Sequence, residues 1–243
     1  MKYEYRHYVK SGIKNIHILL EKASVMDIRK HFDPEIVIKQ CRIGCINYSK
    51  KWCCPPHSEL FNKLSKGFDS VVILCMYLYT EEFGHVTNKY LRIRAANMVL
   101  KSLSNKLSRK IESELNGYAL LNGSCNICKP CNLKKELPCK KTAQRRYSME
   151  ATGLNVDSLL RDILKFNLQW YNPGYMPVYT SVASCVLYNK KPRSSYSSNP
   201  NDLTLSVRQF SEIVRTSCCD RPSGDFAFSS SDISTSAPSI DVR

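Results

Sequence analysis

The feature that most constrains this chain is a run of cysteines in its second half. Cys125, Cys128 and Cys131 follow one another at two-residue intervals, and Cys139 closes the stretch GSCNICKPCNLKKELPCK. Thiolates at this separation on a tight loop can turn inward to one soft metal centre, which suits an iron–sulfur cluster or a zinc ion. A second group lies upstream, with Cys41-x3-Cys45 followed by the vicinal pair Cys53-Cys54 and then Pro55-Pro56. The remainder of the chain reads as a scaffold that brings the two groups near each other.

The setting fits metal ligation better than disulfides. The N-terminus, MKYEYRHYVKSG, is charged from its second residue and carries no apolar signal region. The longest apolar run, Val71 to Tyr79, is far short of the roughly 20 residues that span a bilayer. These features predict a soluble, cytoplasmic protein with no membrane span, and in a reducing compartment clustered cysteines serve as metal ligands or redox groups. The formal net charge is +15, and it belongs to the first 190 residues, because the tail from Lys191 holds six basic and six acidic residues. Such an excess suits an acidic protein partner or an anionic ligand. Nucleic acid is the weakest candidate partner, since no helix-turn-helix, RNA-binding or zinc-finger signature occurs.

The elements can be read in order. Ile16 to Leu20 suggests a short strand, Ala23 to Phe32 a short helix, and Glu35 to Lys39 a further strand after the Asp33-Pro34 turn. Residues 41–58 carry Gly44, Asn47, Ser49 and Pro55-Pro56, which argues for a loop. Glu59 to Lys66 reads as a short helix. Val71 to Tyr79 is a continuous apolar run, the pattern of a strand buried on both faces, with Cys75 as a core residue. From Asn88 to Asn116, Ala96, Leu100, Leu103, Leu107, Ile111 and Leu115 form one apolar stripe at helical spacing. Tyr118 to Leu121 follows as a strand, and the cysteine loop leaves its end. A helix over Val156 to Phe166, capped by Asn155, and a strand over Val178 to Tyr188, with Cys185 in its core, complete the domain. The order strand, long helix, strand predicts an α/β fold: a single small mixed or parallel sheet, a long crossover helix and cysteine-rich loops. Fourteen serines among the last 53 residues predict a disordered tail, with a short helix over Leu203 to Thr216 inside it and Cys218-Cys219 incidental. The expected division is a metal-binding domain over 1–190 and a tail over 191–243.

A four-iron cluster needs four soft ligands, and Cys-x2-Cys-x2-Cys resembles the ferredoxin run, whose fourth ligand comes from elsewhere or after a proline. Cys139 follows Pro138 and can close such a set or reach a second one. Zinc prefers two separate Cys-x2-Cys knuckles, so a [4Fe–4S] cluster is favoured and zinc is the alternative. In the upstream segment, spacing alone leaves open whether Cys53 or Cys54 is the ligand. Lys129, Lys134, Lys135, Lys140, Lys141, Arg145 and Arg146 crowd the loop, and cations beside an anionic cluster raise its reduction potential. No Ser/His/Asp or Cys/His nucleophile pattern and no glycine-rich phosphate loop is present. His57 alone lies inside a motif, while His7, His17, His31 and His85 are expected as surface or capping residues.

Three stretches, CRIGCINYSKKWCCPP, GSCNICKPCNLKKELPCK and RYSMEATGLNVD, together resemble the DUF2284 family of predicted metal-binding proteins. The family's first motif maps onto Cys41, Cys45, Asn47, Tyr48, Lys50, Trp52, Cys54, Pro55 and Pro56, which selects Cys54 over Cys53. The second maps onto Gly123, Cys125, Cys128, Cys131, Pro138 and Cys139, and the third onto Ser148, Met149, Glu150, Ala151, Gly153 and Val156. The resemblance covers roughly residues 35–190 and implies metal binding by Cys41, Cys45, Cys54, Cys125, Cys128, Cys131 and Cys139, with no established reaction attached. The expected function is a carrier of one or two [4Fe–4S] clusters, for electron transfer to an acidic redox partner or cluster delivery to an acceptor protein. The alternatives are a zinc-stabilised binding module and a cluster enzyme with an open iron site.

Overall fold

A computed structural model describes residues 1–172, 175–190 and 212–213. Its centre is one five-stranded sheet in the order β1-β2-β3-β5-β4, built from β1 (Lys2–Val9), β2 (Gly12–Ser24), β3 (Ser70–Tyr79), β4 (Tyr118–Leu120) and β5 (Tyr179–Tyr188). Every strand pairing in it is antiparallel. The expected parallel or mixed sheet is therefore corrected. The strand–helix–strand unit is present: the long helix α4 (Lys89–Glu114) runs between β3 and β4, and these two strands point the same way. They do not pair, because β5 enters between them and hydrogen-bonds to both. A segment more than fifty residues downstream of β4 thus converts the parallel pair into two antiparallel ones.

The apolar run of β3 is buried throughout, up to its last residue, and the reason is that both faces of the sheet are covered. Its even-numbered side chains, Val72, Leu74, Met76 and Leu78, join a core with Ile16, Ile18 and Leu20 of β2 and with Ala96, Leu100, Leu103, Leu107 and Ile111 of α4. The predicted apolar stripe of α4 is the stripe it buries. Ile213 of the described pair Glu212–Ile213, both helical, also packs into this core. The odd-numbered side chains, Val71, Ile73, Cys75 and Tyr77, face a second core with α1 (Val25–Arg29), α5 (Val156–Leu164), Tyr147, Met149 and Leu154. Strand alternation thus separates one apolar run into two cores.

Local chemistry sets the element ends. Asn88, Asn155, Ser24 and Asp33 each accept a backbone N–H two or three residues into the helix that follows. Asp33 with Pro34 at the first helical position opens α2 (Pro34–Gly44), so the strand expected over Glu35 to Lys39 is a helix and Cys41 lies in its last turn. α3 (Phe61–Leu64) is the short helix expected there. At the end of α4, Asn116 takes a left-handed conformation and Gly117 lies so close to β5 that an added Cβ would stand 2.3 Å from the Leu187 carbonyl oxygen. That contact lets the chain turn directly from α4 into β4 and places the start of the cysteine loop at the sheet. Cys75 and Cys185 are fully buried in the second core. The expected disordered tail, its short helix and Cys218-Cys219 lie outside the described residues, apart from Glu212 and Ile213. No described helix is long and apolar enough to cross a membrane.

Candidate metal centre

The second cysteine group occupies a long excursion between β4 and α5. From Gly123 to Arg146 no residue is buried, and the only regular structure is one 3-10 turn, Asn132–Lys135. A loop with so little apolar anchoring is held by hydrogen bonds at specific points. At its entrance Asn122 is buried and donates to Ser104 of α4 at 2.9 Å. At its exit the Arg146 guanidinium pairs with Glu112 of α4, whose carboxylate also accepts the Ala119 N–H of β4 at 2.7 Å. Arg146, one of the seven cations noted around the loop, is therefore a structural partner of Glu112. Arg145 donates to the Tyr147 hydroxyl at 2.8 Å.

The upstream segment supplies the remaining anchors. The Lys51 ammonium donates to Ser124 Oγ at 2.8 Å, to the Cys125 carbonyl at 3.0 Å and to Asn126 Oδ1 at 2.9 Å. The Trp52 indole N–H reaches the Leu137 carbonyl at 2.9 Å, and the Cys125 N–H donates to Cys53 Sγ at 3.0 Å. Three consecutive residues, Lys51, Trp52 and Cys53, thus bind the start and the middle of the downstream loop. The two cysteine groups, more than seventy residues apart in sequence, meet along this seam.

Within the seam is a small cavity lined by Cys53, Cys125, Cys128, Cys131 and Cys139, with Lys51, Lys140, Lys141 and Arg145 also on its walls. All four loop cysteines are brought together there. Cys54, the residue selected by the motif, is not among its lining; Cys53 is. Cys53 and Cys54 are both buried, with sulfurs 3.7 Å apart. Cys54 stands within electrostatic reach of Cys45 and Cys41, and Cys41 in turn of Cys45 and Glu150. The upstream thiols Cys41, Cys45 and Cys54 are therefore within electrostatic reach of one another.

The thiols do not ionise alike. A hydrogen bond from Cys53 holds Cys54 below the usual thiol range against the opposing effect of burial. At Cys53 a hydrogen bond from Cys125 pulls down, but the bond to Cys54 and burial outweigh it and push the thiol up to about 11. Cys125 is raised by its bond to Cys53 and by burial. The thiol form is thus favoured at Cys125 and Cys53, and the thiolate at Cys54. Burial alone raises Cys75, and it pushes Cys185 up to about 12 with a small contribution from Glu150; both are core thiols.

Among the described residues, no three His, Cys, Asp or Glu side chains converge closely enough to hold a single metal ion. The loop thiols surround a cavity instead of meeting at a point. His57 packs edge-on against Trp52, ring centroids 5.1 Å apart, and is not part of the cavity wall. Lys51 is a residue that sequence reasoning passed over, and Cys53 is one that spacing left open and the family motif set aside. The only signals for them were the vicinal cysteine pair and a position one residue before the motif tryptophan.

A family model, DUF2284, described as predicted metal-binding protein, matches residues 26–188, about two thirds of the chain. No curated protein and no solved structure matches it.

Proposed function

The chain belongs to the DUF2284 family of predicted metal-binding proteins, and from that premise we propose that it is an iron–sulfur protein that passes electrons to an acidic partner. The observation that carries the reading is the seam in which Lys51, Trp52 and Cys53 fasten the upstream segment to the loop around a cavity walled by Cys125, Cys128, Cys131 and Cys139. The donor set is all sulfur, and it stands beside the buried second core, which supplies the dry side that a low-dielectric cluster site needs. A [4Fe–4S] cluster, when bound, takes up and gives back one electron.

The residues of the chain divide the remaining work. Cys125, Cys128, Cys131 and Cys139 are the loop's candidate thiols for one centre, and Cys41, Cys45 and Cys54 are those for an upstream one. Lys51, Lys140, Lys141 and Arg145 place positive charge around the loop centre, which favours its reduced, more negative state. Lys129, Lys134, Lys135, Lys140 and Lys141 are exposed on the loop and give an acidic redox protein a place to dock beside the centre. Cytoplasmic location follows from the same reading, since free thiols of this kind persist in a reducing compartment.

The test is optical. Protein isolated without oxygen is expected to show a broad visible absorbance that bleaches with dithionite and returns on mild oxidation. A colourless protein, unchanged by reductant, would contradict electron transfer and leave a structural metal with a binding surface.

A further inference from the structure

We propose that Cys53, in place of Cys139, is the fourth ligand of the loop centre, so that the adjacent residues Cys53 and Cys54 serve two different centres. The inference rests on the iron–sulfur reading above and adds a residue that the family motif leaves unassigned.

Four observations support it. Cys53 lines the same cavity as Cys125, Cys128, Cys131 and Cys139, and Cys54 does not. Cys53 is 2 % exposed and packed in the second core, so its sulfur is fixed by the fold and not by the loose loop. The Cys125 N–H points at its sulfur from 3.0 Å, the kind of hydrogen bond that stabilises a ligating thiolate. Cys54, one residue on, faces the charges of Cys45 and Cys41 instead. A Cys-x2-Cys-x2-Cys run commonly takes its fourth ligand from a distant part of the chain. Cys53 is that distant thiol, held in the buried second core, and with Cys125, Cys128 and Cys131 it completes a set of four.

Ligation by Cys53 exchanges its S–H bond for a sulfur–metal bond and releases the proton to solvent. The consequence is a short electronic path. The Cys53 and Cys54 sulfurs are 3.7 Å apart on consecutive residues, so these two side chains would hold two centres side by side, and the clusters would supply electron transfer between them.

The test compares Cys53→Ala, Cys53→Ser and Cys54→Ala with wild-type protein, all isolated without oxygen, with Cys75→Ala as the control for loss of a buried sulfur. Iron and acid-labile sulfide are expected to fall to about half the wild-type count in Cys53→Ala and in Cys54→Ala, each leaving a different spectrum behind, and to hold in Cys75→Ala. Wild-type levels and spectrum in both Cys53 variants overturn the assignment. Should the variants not fold, paramagnetic resonance of fully reduced wild-type protein reads the same claim: magnetically coupled centres support the shared Cys53–Cys54 junction, and two independent signals overturn it. Zinc in place of iron, lost from the Cys53 variants, upholds the ligand and overturns the iron–sulfur reading. Wild-type protein that binds neither metal overturns both.

Discussion

Lys51 carries more of the site than its place in a run of basic residues suggests. Its ammonium makes three hydrogen bonds across the seam, to a hydroxyl, a carbonyl and an amide oxygen of consecutive residues. It is also the cation nearest the start of the loop's cysteine run. Losing even one charge-assisted bond, about 1.5 kcal/mol, raises the open fraction of the loop about tenfold. Lys51→Met is therefore expected to speed trypsin cleavage at Lys134, Lys135, Lys140 and Lys141 by about that factor, with the sheet domain still folded; an unchanged cleavage rate would show that the other anchors suffice. His17 offers a second test at this scale. It is stacked on Tyr77, ring centroids 4.7 Å apart, with Glu4 at 3.1 Å. Burial lowers its pKa from 6.5, Glu4 and Glu82 oppose this, and Lys2 adds to it. A lowered value in the folded state means that the unfolded chain takes up the proton first. Stability is then complete above pH 6.5 and declines as the pH falls toward the folded value. Thermal unfolding followed from about pH 7 to pH 5 should show this loss, and His17→Phe, which keeps the stack, should remove its share of the slope.

At the scale of elements, Glu112 links three of them. Its carboxylate accepts from Ala119 of β4, pairs with Arg146 at the loop exit and contacts Arg109 on its own helix. Glu112→Ala leaves Arg146 without its partner and a buried N–H without an acceptor, at a cost of about 3–5 kcal/mol. Glu112→Gln keeps the bond to Ala119 and should cost clearly less in denaturant titration; equal losses would place the effect in the ion pair alone. The elements most legible in the sequence were those with long periodic patterns. The stripe from Ala96 to Ile111 and the run from Val71 to Tyr79 mark α4 and β3 because burial on one helix face or both sheet faces leaves a regular trace. β1 was missed, since as an edge strand it exposes much of its surface and its alternation is carried by tyrosines and a histidine among charges. α2 was mistaken for a strand because it has no buried residue, and a helix that buries nothing shows no stripe. His31, expected near the surface, is buried against Ser158 of α5 at 2.9 Å, a tertiary contact without local signature.

For the whole molecule, the strand order decides the sheet's character. The insertion of β5 between β3 and β4 depends on pairing between residues far apart in sequence, which local patterns do not record. The cysteine spacing points to a set of candidate thiols, but not to which of them share a cavity. The spacing ties Cys125 to Cys128 and Cys131, whereas the placement of Cys53 with them and of Cys54 with Cys41 and Cys45 follows from how the upstream turn docks on the loop. One sheet covered on both faces thus supports an exposed excursion whose four thiols line a cavity with Cys53 of the upstream segment. The central claim is that these thiols hold iron and sulfide. The most direct measurement is a count of iron, zinc and acid-labile sulfide per chain in protein isolated without oxygen. The account predicts about eight irons with matching sulfide, two four-iron centres, and little zinc. About one zinc per chain with no sulfide would contradict it.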